Sequence, residues 1–339
     1  MPDSEPLTWT EIEKYGFDGH TNAASEDPLA PRWEHTPLEY IQQLHNLRKA
    51  QFNELKALVR FGVPRHRRPL VYPILCQARQ LFPEKQEVPE VTLADIDKDI
   101  DRTYPRHPYF RSEAGKKSLR RVLCHFAAAR PDIGYCQSLN FVAATLALAT
   151  NDEATATRVL LSMINGHPDS CVPATYYAKG MTGVIVDCKV LDYLIAKKMP
   201  QLARVFESHN IEATFFAVGW FMSLFAVPFD DFDAVLRVYD SVLLEGQKIV
   251  FRVALALLKL NERELLLHAN DMTQLLAAIQ RLGRNVDGET LMHCAFHGIG
   301  SLPMRWIRKQ RRRVLPGVLR QQEERRTRRA KRTRPDVRD

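Results

Sequence analysis

Two short segments hold the residues whose types and spacing could do chemistry. One is Ile96-Asp97-Lys98-Asp99-Ile100-Asp101-Arg102, and the other is Gly134-Tyr135-Cys136-Gln137-Ser138-Leu139-Asn140. On a helix Asp99 and Arg102 lie three apart and can touch, while Ile96 and Ile100 fall on the apolar face. Gln137 opens a long apolar run, and the free N–H groups and dipole at a helix N-terminus favour an anion nearby. A cation for developing phosphate charge and an amide to orient water are the groups that phosphoryl transfer to water requires. Charge and spacing also allow a plainer reading, with Arg102 as the last-turn cation of an exposed helix and Gln137 as a satisfied polar group.

The elements that must position these residues are helices. Thr92-x-x-Asp95 has the form of a capping box that opens the first segment, and Pro105 ends the helix soon after Arg102. An amphipathic helix over 112–130 follows, with Leu119, Val122, Leu123 and Phe126 on one face. The turn at 130–134 then leads into 135–150, apolar nearly all round and therefore buried on most sides. Upstream, Leu38 to Leu58 repeat near helical spacing, the pattern stops at Phe61-Gly62-Val63-Pro64, and a shorter helix carries Leu70, Ile74 and Leu75. Downstream, helices are predicted over 153–165, 186–198, 200–207, 212–226, 231–244, 247–259 and 272–282. No run has strand period and no repeat is present. The fold class is all-α, a two-lobed irregular array of about 15 helices rather than a simple bundle.

Composition narrows the function. The 339 residues, 45% of them hydrophobic, can bury a sizeable core. The polar start MPDSEPLTW is not a secretory signal, and the apolar run 215–229 is too short and too interrupted to span a bilayer. Six scattered cysteines without a CxxC pair argue against zinc or a disulfide framework and for a reducing, cytoplasmic setting. There is no HExxH and no phosphate-binding loop; Gly298-Ile299-Gly300 is an isolated GxG with no strand before it. Pairing Cys136 with His125 or His167 for nucleophilic catalysis is a weak alternative, because a cysteine opening an apolar helix ordinarily serves as a small hydrophobe.

At the same two segments the sequence resembles a known family. Ile96-x-x-Asp99-x-x-Arg102 matches the IxxDxxR motif of TBC-domain GTPase-activating proteins, and Tyr135-x-Gln137 matches their YxQ motif. Gly62-Val63-Pro64 with Arg68 is similar to the family's opening GIPxxxR. Tyr176-Tyr177, Trp220-Phe221 with Leu224-Phe225, Arg237-x-Tyr239-Asp240, Glu245-Gly246 and Phe251-Arg252 look like its later landmarks. The likeness runs from about Ala57 to Leu282 and is strong to the growth-hormone-regulated TBC protein type, whose arm also carries a Tyr-Gly-Phe like Tyr15-Gly16-Phe17. The resemblance implies an all-α fold of two lobes and a protein that is no enzyme in its own right but accelerates GTP hydrolysis by a Rab-type small GTPase in its GTP form, in vesicle traffic. Arg102 would be an arginine finger and Gln137 a glutamine finger, with Asp99 holding Arg102, Tyr135 setting the Gln137 segment, and Arg68 and Asn140 in support. GTP and Mg²⁺ would belong to the partner, so no cofactor of its own is expected. Tyr72 and Tyr239 stand where the family usually has tryptophan, and Ser138-Leu139 where it has Gly-Met. That last change keeps open a TBC-like scaffold that binds a GTPase without activating it.

The chain divides into a polar, proline-containing extended arm over 1–36, a domain over 37–304 and, marked by its charge, a basic tail over 305–339. The tail holds fifteen Lys and Arg against four Asp and Glu, a net +11, which leaves −3 of the chain's +8 for residues 1–304. Attachment to anionic membrane, with a peripheral endomembrane location, is one reading of such a tail. Nucleic-acid contact is another, opposed by the near-neutral domain, and a solvated appendage is the third.

Overall fold

The computed structural model describes residues 27–78, 87–165 and 171–332, the side chains of 329–332 excepted. Tyr15-Gly16-Phe17, His167 and the end of the tail lie outside the described residues. Among the described residues every regular element is helical. A first group comprises α1 (Ala30–Trp33), α2 (Leu38–Gln42), α3 (Lys49–Phe61), α4 (Arg68–Leu75), α5 (Glu90–Ile100), α6 (Pro108–Arg111), α7 (Glu113–Ala129), α8 (Leu139–Thr150) and α9 (Glu153–Met163). The second comprises α10 (Thr182–Lys198), α11 (Pro200–Ser208), α12 (Ala217–Met222), α13 (Phe232–Glu245), α14 (Lys248–Leu260), α15 (Glu262–Leu267), α16 (Met272–Arg281), α17 (Gly288–His293) and α18 (Met304–Arg332).

Each group closes around one largely buried helix. In α8 every residue but Phe141 is buried, because α4, α5, α7 and α9 all pack against it. In α14 the run from Val253 to Leu258 is buried among α10, α12, α13, α15 and α17. A helix with no polar face cannot stand at the surface, so α8 fixes the centre of the first lobe, and the apolar run 253–258 of α14 fills that of the second.

The lobes join along α13, which touches α3 and α4 on one side and α14 and α17 on the other. Buried Asp240 accepts from the Val63 amide at 2.8 Å, from Arg68 Nε and Nη2 at 3.1 Å each, and from the Tyr72 hydroxyl at 2.7 Å. Glu245 receives Arg60 and Lys248 beside it. A buried carboxylate is tolerable only with this many donors. Tyr72 and Tyr239 are both fully buried in this joint, and the Tyr239 hydroxyl bonds the Ser223 carbonyl at 3.1 Å.

Several local expectations change. Residues 27–36, read as part of an extended arm, form a helical turn whose buried Trp33 donates to the Gly62 carbonyl at 2.8 Å. The capping box at Thr92 does not form: α5 begins at Glu90 after Pro89, so Thr92 is already inside the helix. The single helix expected over 212–226 is broken after α12, where Leu224 and Phe225 both adopt positive φ (49° and 66°). That turn folds Phe225 back among Trp220, Phe221 and Phe229, with ring centroids 5.8–6.3 Å apart. Aromatic burial outweighs helical continuity there.

Candidate functional site

The last turn of α5 places three buried groups toward α7 and α8: Ile96, Asp99 and Ile100. The helix ends at Ile100, so Arg102 stands in the following turn rather than in the helix itself. Two bonds shape that turn. Thr103 Oγ1 donates back to the Asp99 carbonyl at 2.7 Å, and the Thr103 amide donates to the Ile100 carbonyl at 3.1 Å. Tyr104 then takes a left-handed φ of 44° and sinks into the core, where its hydroxyl meets Thr145 at 2.8 Å and its ring meets Phe141 edge-on at 5.5 Å. The chain is pulled inward on both sides of Arg102, which is left at the apex with its side chain 56% exposed.

Asp99 governs the guanidinium. Its carboxylate is 3% exposed and forms an ion pair with Arg102 through one oxygen. The other oxygen accepts the Tyr135 hydroxyl at 2.5 Å. Burial, and next the bonded Asp99 carboxylate, push the Tyr135 phenol far up, so it remains the proton donor. The remaining aspartates of the helix have cations of their own: Asp95 has Lys98, Asp97 has Arg120, and Asp101 has Lys116, at 2.7–2.8 Å. These exposed pairs hold little energy, but they keep competing carboxylates from claiming Arg102.

The second segment departs from expectation in one respect. The helix begins at Leu139, not Tyr135, so Gln137 lies in the turn before it, two residues upstream of the first helical residue, with its side chain exposed. Gly134 turns the chain with φ 62° and Ser138 turns it again with φ 86°. Between those turns Gln137 is held at both ends. Tyr135 is tied to Asp99, and the Ser138 amide donates to Asn140 Oδ1 at 3.0 Å. Asn140 Nδ2 in turn donates to Thr103 Oγ1 at 2.7 Å.

A closed circuit results: Arg102, Asp99, Tyr135, the Gln137 turn, Asn140, Thr103 and back to the Asp99 carbonyl. It brings together Arg102, Asp99, Tyr135, Gln137 and Asn140. Arg68 is placed elsewhere, buried against Asp240 at the joint of the lobes. Thr103 escaped the sequence reading, although a threonine four residues after Asp99 at a helix end is a recognisable partner for that carbonyl. Cys136 is no nucleophile in this setting, since burial, and then the Asp99 charge, raise its thiol and keep it protonated. Its suggested partner His125 is exposed on α7. Chemically, the circuit presents one guanidinium and one amide outward from a braced, buried base.

This arrangement has relatives. Residues 68–266 match the model of the Rab-GTPase-TBC domain. TBC1 domain family member 2A of Mus musculus is 33% identical over 302 residues, which cover 85% of this chain and 31% of that protein. Growth hormone-regulated TBC protein 1 of Xenopus tropicalis is 31% identical over 227 residues, 63% of this chain and 64% of that one. The chain thus spans under a third of the first relative's length. Among solved structures, a Chlamydomonas flagellar RabGAP TBC domain superposes with a TM-score of 0.64 at 26% identity, covering 80% of this chain and 93% of that domain. The Ypt/Rab-GAP domain of Gyp1p shares the fold with a TM-score of 0.59 at 20% identity, covering 77% of this chain and 98% of that one. The matched span includes both segments of the circuit, and on that evidence the chain belongs to the RabGAP-TBC family.

Proposed function

We propose that this chain is a GTPase-activating protein that stimulates GTP hydrolysis by a Rab-type small GTPase in its GTP form. Arg102 enters the partner's active site as an arginine finger and neutralises charge developing on the transferred phosphoryl group. Gln137 acts as a glutamine finger that orients the attacking water. The chain is then no enzyme in its own right: GTP and Mg²⁺ arrive with the GTPase, and the two side chains complete its site in trans. Asp99, Tyr135 and Asn140 position the fingers, and Arg68 supports the fold that carries them. The setting is vesicle traffic, with the chain cytoplasmic and peripherally associated with anionic endomembranes.

One observation carries this reading. Asp99 is shared between Arg102 and Tyr135, so the arginine and the glutamine turn are built on one buried carboxylate. A surface helix needs no such link to a loop 36 residues away. An arginine supplied in trans is worth ~10³ to 10⁵ in rate, or about 4 to 7 kcal/mol of barrier.

A second reading, a scaffold that binds a GTPase without activating it, rests on Ser138: a serine holds the left-handed φ of 86° beside Gln137, where a glycine would meet no penalty. A hydrolysis panel over Rab-type GTPases with wild type, Arg102→Ala and Gln137→Ala separates the two. Stimulation by the wild type and its loss in both variants supports the finger mechanism. Binding without stimulation supports the scaffold, and undiminished stimulation by Arg102→Ala removes the finger assignment.

A further inference from the structure

The basic segment is not simply appended to the domain. From Met304 it forms α18, with thirteen Lys and Arg against two Glu through Arg332. Such a helix repels itself unless something holds it. Ile307 and Val318, on the helix itself, are buried. Arg311 donates to Asp187 through Nε and Nη2 at 2.7 Å each, and also to Gln247. Gln322 donates to the Gly180 carbonyl at 2.8 Å and accepts from the Thr182 hydroxyl at 2.9 Å. These four positions, 307, 311, 318 and 322, form one stripe laid against α10 and the turn before it.

Anchoring one stripe fixes what the others face. Arg305, Arg308, Arg312, Leu315, Leu319 and Arg326 are separated by three, four, three, four and seven residues, so they form a second stripe along one flank. All six are exposed, and Arg326 has Glu323 as an ion-pair partner at 3.5 Å. The two leucines lie in its middle, 39% and 50% exposed. Met181, 38% exposed, stands in the turn that receives Gln322, next to exposed Lys179.

We infer that this flank of α18 is a docking surface for an anionic lipid bilayer, an assignment that rests on the peripheral membrane association proposed above and names the face that makes it. The cations match lipid phosphates, and the two leucines between them reach below the headgroups into the acyl region. That pairing of chemistries favours a bilayer over a nucleic acid, which offers phosphate but no place for leucine in water. Because the domain already orders α18, binding requires no folding of the helix. α18 packs on α10, whereas Arg102 follows α5 and Gln137 precedes α8, so lipid partitioning is read without reference to GTP hydrolysis.

The test is co-sedimentation of the chain with phosphatidylcholine vesicles, with and without phosphatidylserine. Wild type is expected to pellet only with phosphatidylserine, and to be released as salt rises. Leu315→Ser with Leu319→Ser should lower the partition coefficient about tenfold or more, and Arg305→Glu with Arg312→Glu by about a hundredfold. Circular dichroism and thermal melts show whether the variants stay folded, and the exposure of all four sites predicts that they do. A Leu319→Trp variant should show a blue-shifted emission with phosphatidylserine vesicles alone. Equal binding to both vesicles, or leucine replacement without effect, overturns the surface. Retention on duplex DNA stronger than on vesicles at matched phosphate assigns the stripe to nucleic acid instead.

Discussion

The hydroxyl of Tyr135 and the carboxylate of Asp99 meet at 2.5 Å, and this bond joins the turn that carries Gln137 to the helix end that carries Arg102. Tyr135→Phe removes one hydroxyl and leaves a buried carboxylate oxygen without its donor. The expected loss is about 1.5 to 3 kcal/mol of stability, as for a hydrogen bond to a charged group. Stimulated hydrolysis should fall more visibly, roughly tenfold to a hundredfold, since displacements near 1 Å suffice for that. Affinity for the GTPase should hardly change. Single-turnover hydrolysis with a parallel binding titration checks the separation; equal losses in both would mean that Tyr135 serves only the fold.

Ser138 sits at φ 86° with ψ −22°, in the region where a side chain is penalised. The residue matters through its backbone. Ser138→Gly should therefore stabilise the chain by about 1 kcal/mol, raising the melting midpoint by a few degrees at most. If strain beside Gln137 limits its pose, stimulated hydrolysis rises as well. A lowered midpoint would show that the flexibility gained by the unfolded chain exceeds the strain relieved.

How much of this was legible beforehand varies with the kind of signal. The centre of the first lobe was readable because the run that forms α8 has no polar face, whereas the charged residues of α14 left its central place unmarked. The start of α7 was readable to within a residue from its amphipathic pattern, and Ser112, where that pattern begins, caps the helix by accepting the Gly115 amide at 3.1 Å. The start of α8 was not readable, because apolar residues continue upstream of Leu139 and only the backbone of Ser138 breaks the helix. The circuit was legible in part: the motifs named Asp99, Arg102, Tyr135 and Gln137, whereas Thr103 depends on a bond to a backbone carbonyl. In α18 the charge hid the anchoring stripe, since Ile307 and Val318 are few among arginines.

Asp192 offers a pH test of the second lobe. It accepts the Ala213 amide at 2.8 Å, and burial raises its carboxyl from 3.8 to about 6. The folded protein thus holds this proton more tightly than the unfolded chain. The resulting stability is complete below about pH 4 and is lost as pH rises through about 6. Asp192→Asn keeps an acceptor for Ala213 and does not titrate. Urea midpoints of the two proteins should shift against the wild type by an equivalent of about 1 to 3 kcal/mol across that window. A difference independent of pH would mean that the carboxyl is not raised.

Arg311 and Asp187 hold α18 to the domain, and Asp187 is almost wholly buried with Tyr176 as its other partner at 2.5 Å. Arg311→Met keeps much of the side-chain volume but leaves that carboxylate without its cation. The cost is about 3 to 5 kcal/mol where the protein stays folded, less where α18 detaches and water reaches Asp187. Detachment exposes a run of arginines, so trypsin should cut within α18 well before it cuts α10 or α14. Adding Asp187→Leu removes the unpaired charge and should recover part of the melting midpoint while α18 stays susceptible to cleavage. Such a split between stability and protease resistance is the signature of an ion pair that fastens an element rather than one that supports the core. Cleavage of α18 at the wild-type rate in Arg311→Met would show instead that Ile307, Val318 and Gln322 suffice to hold the helix.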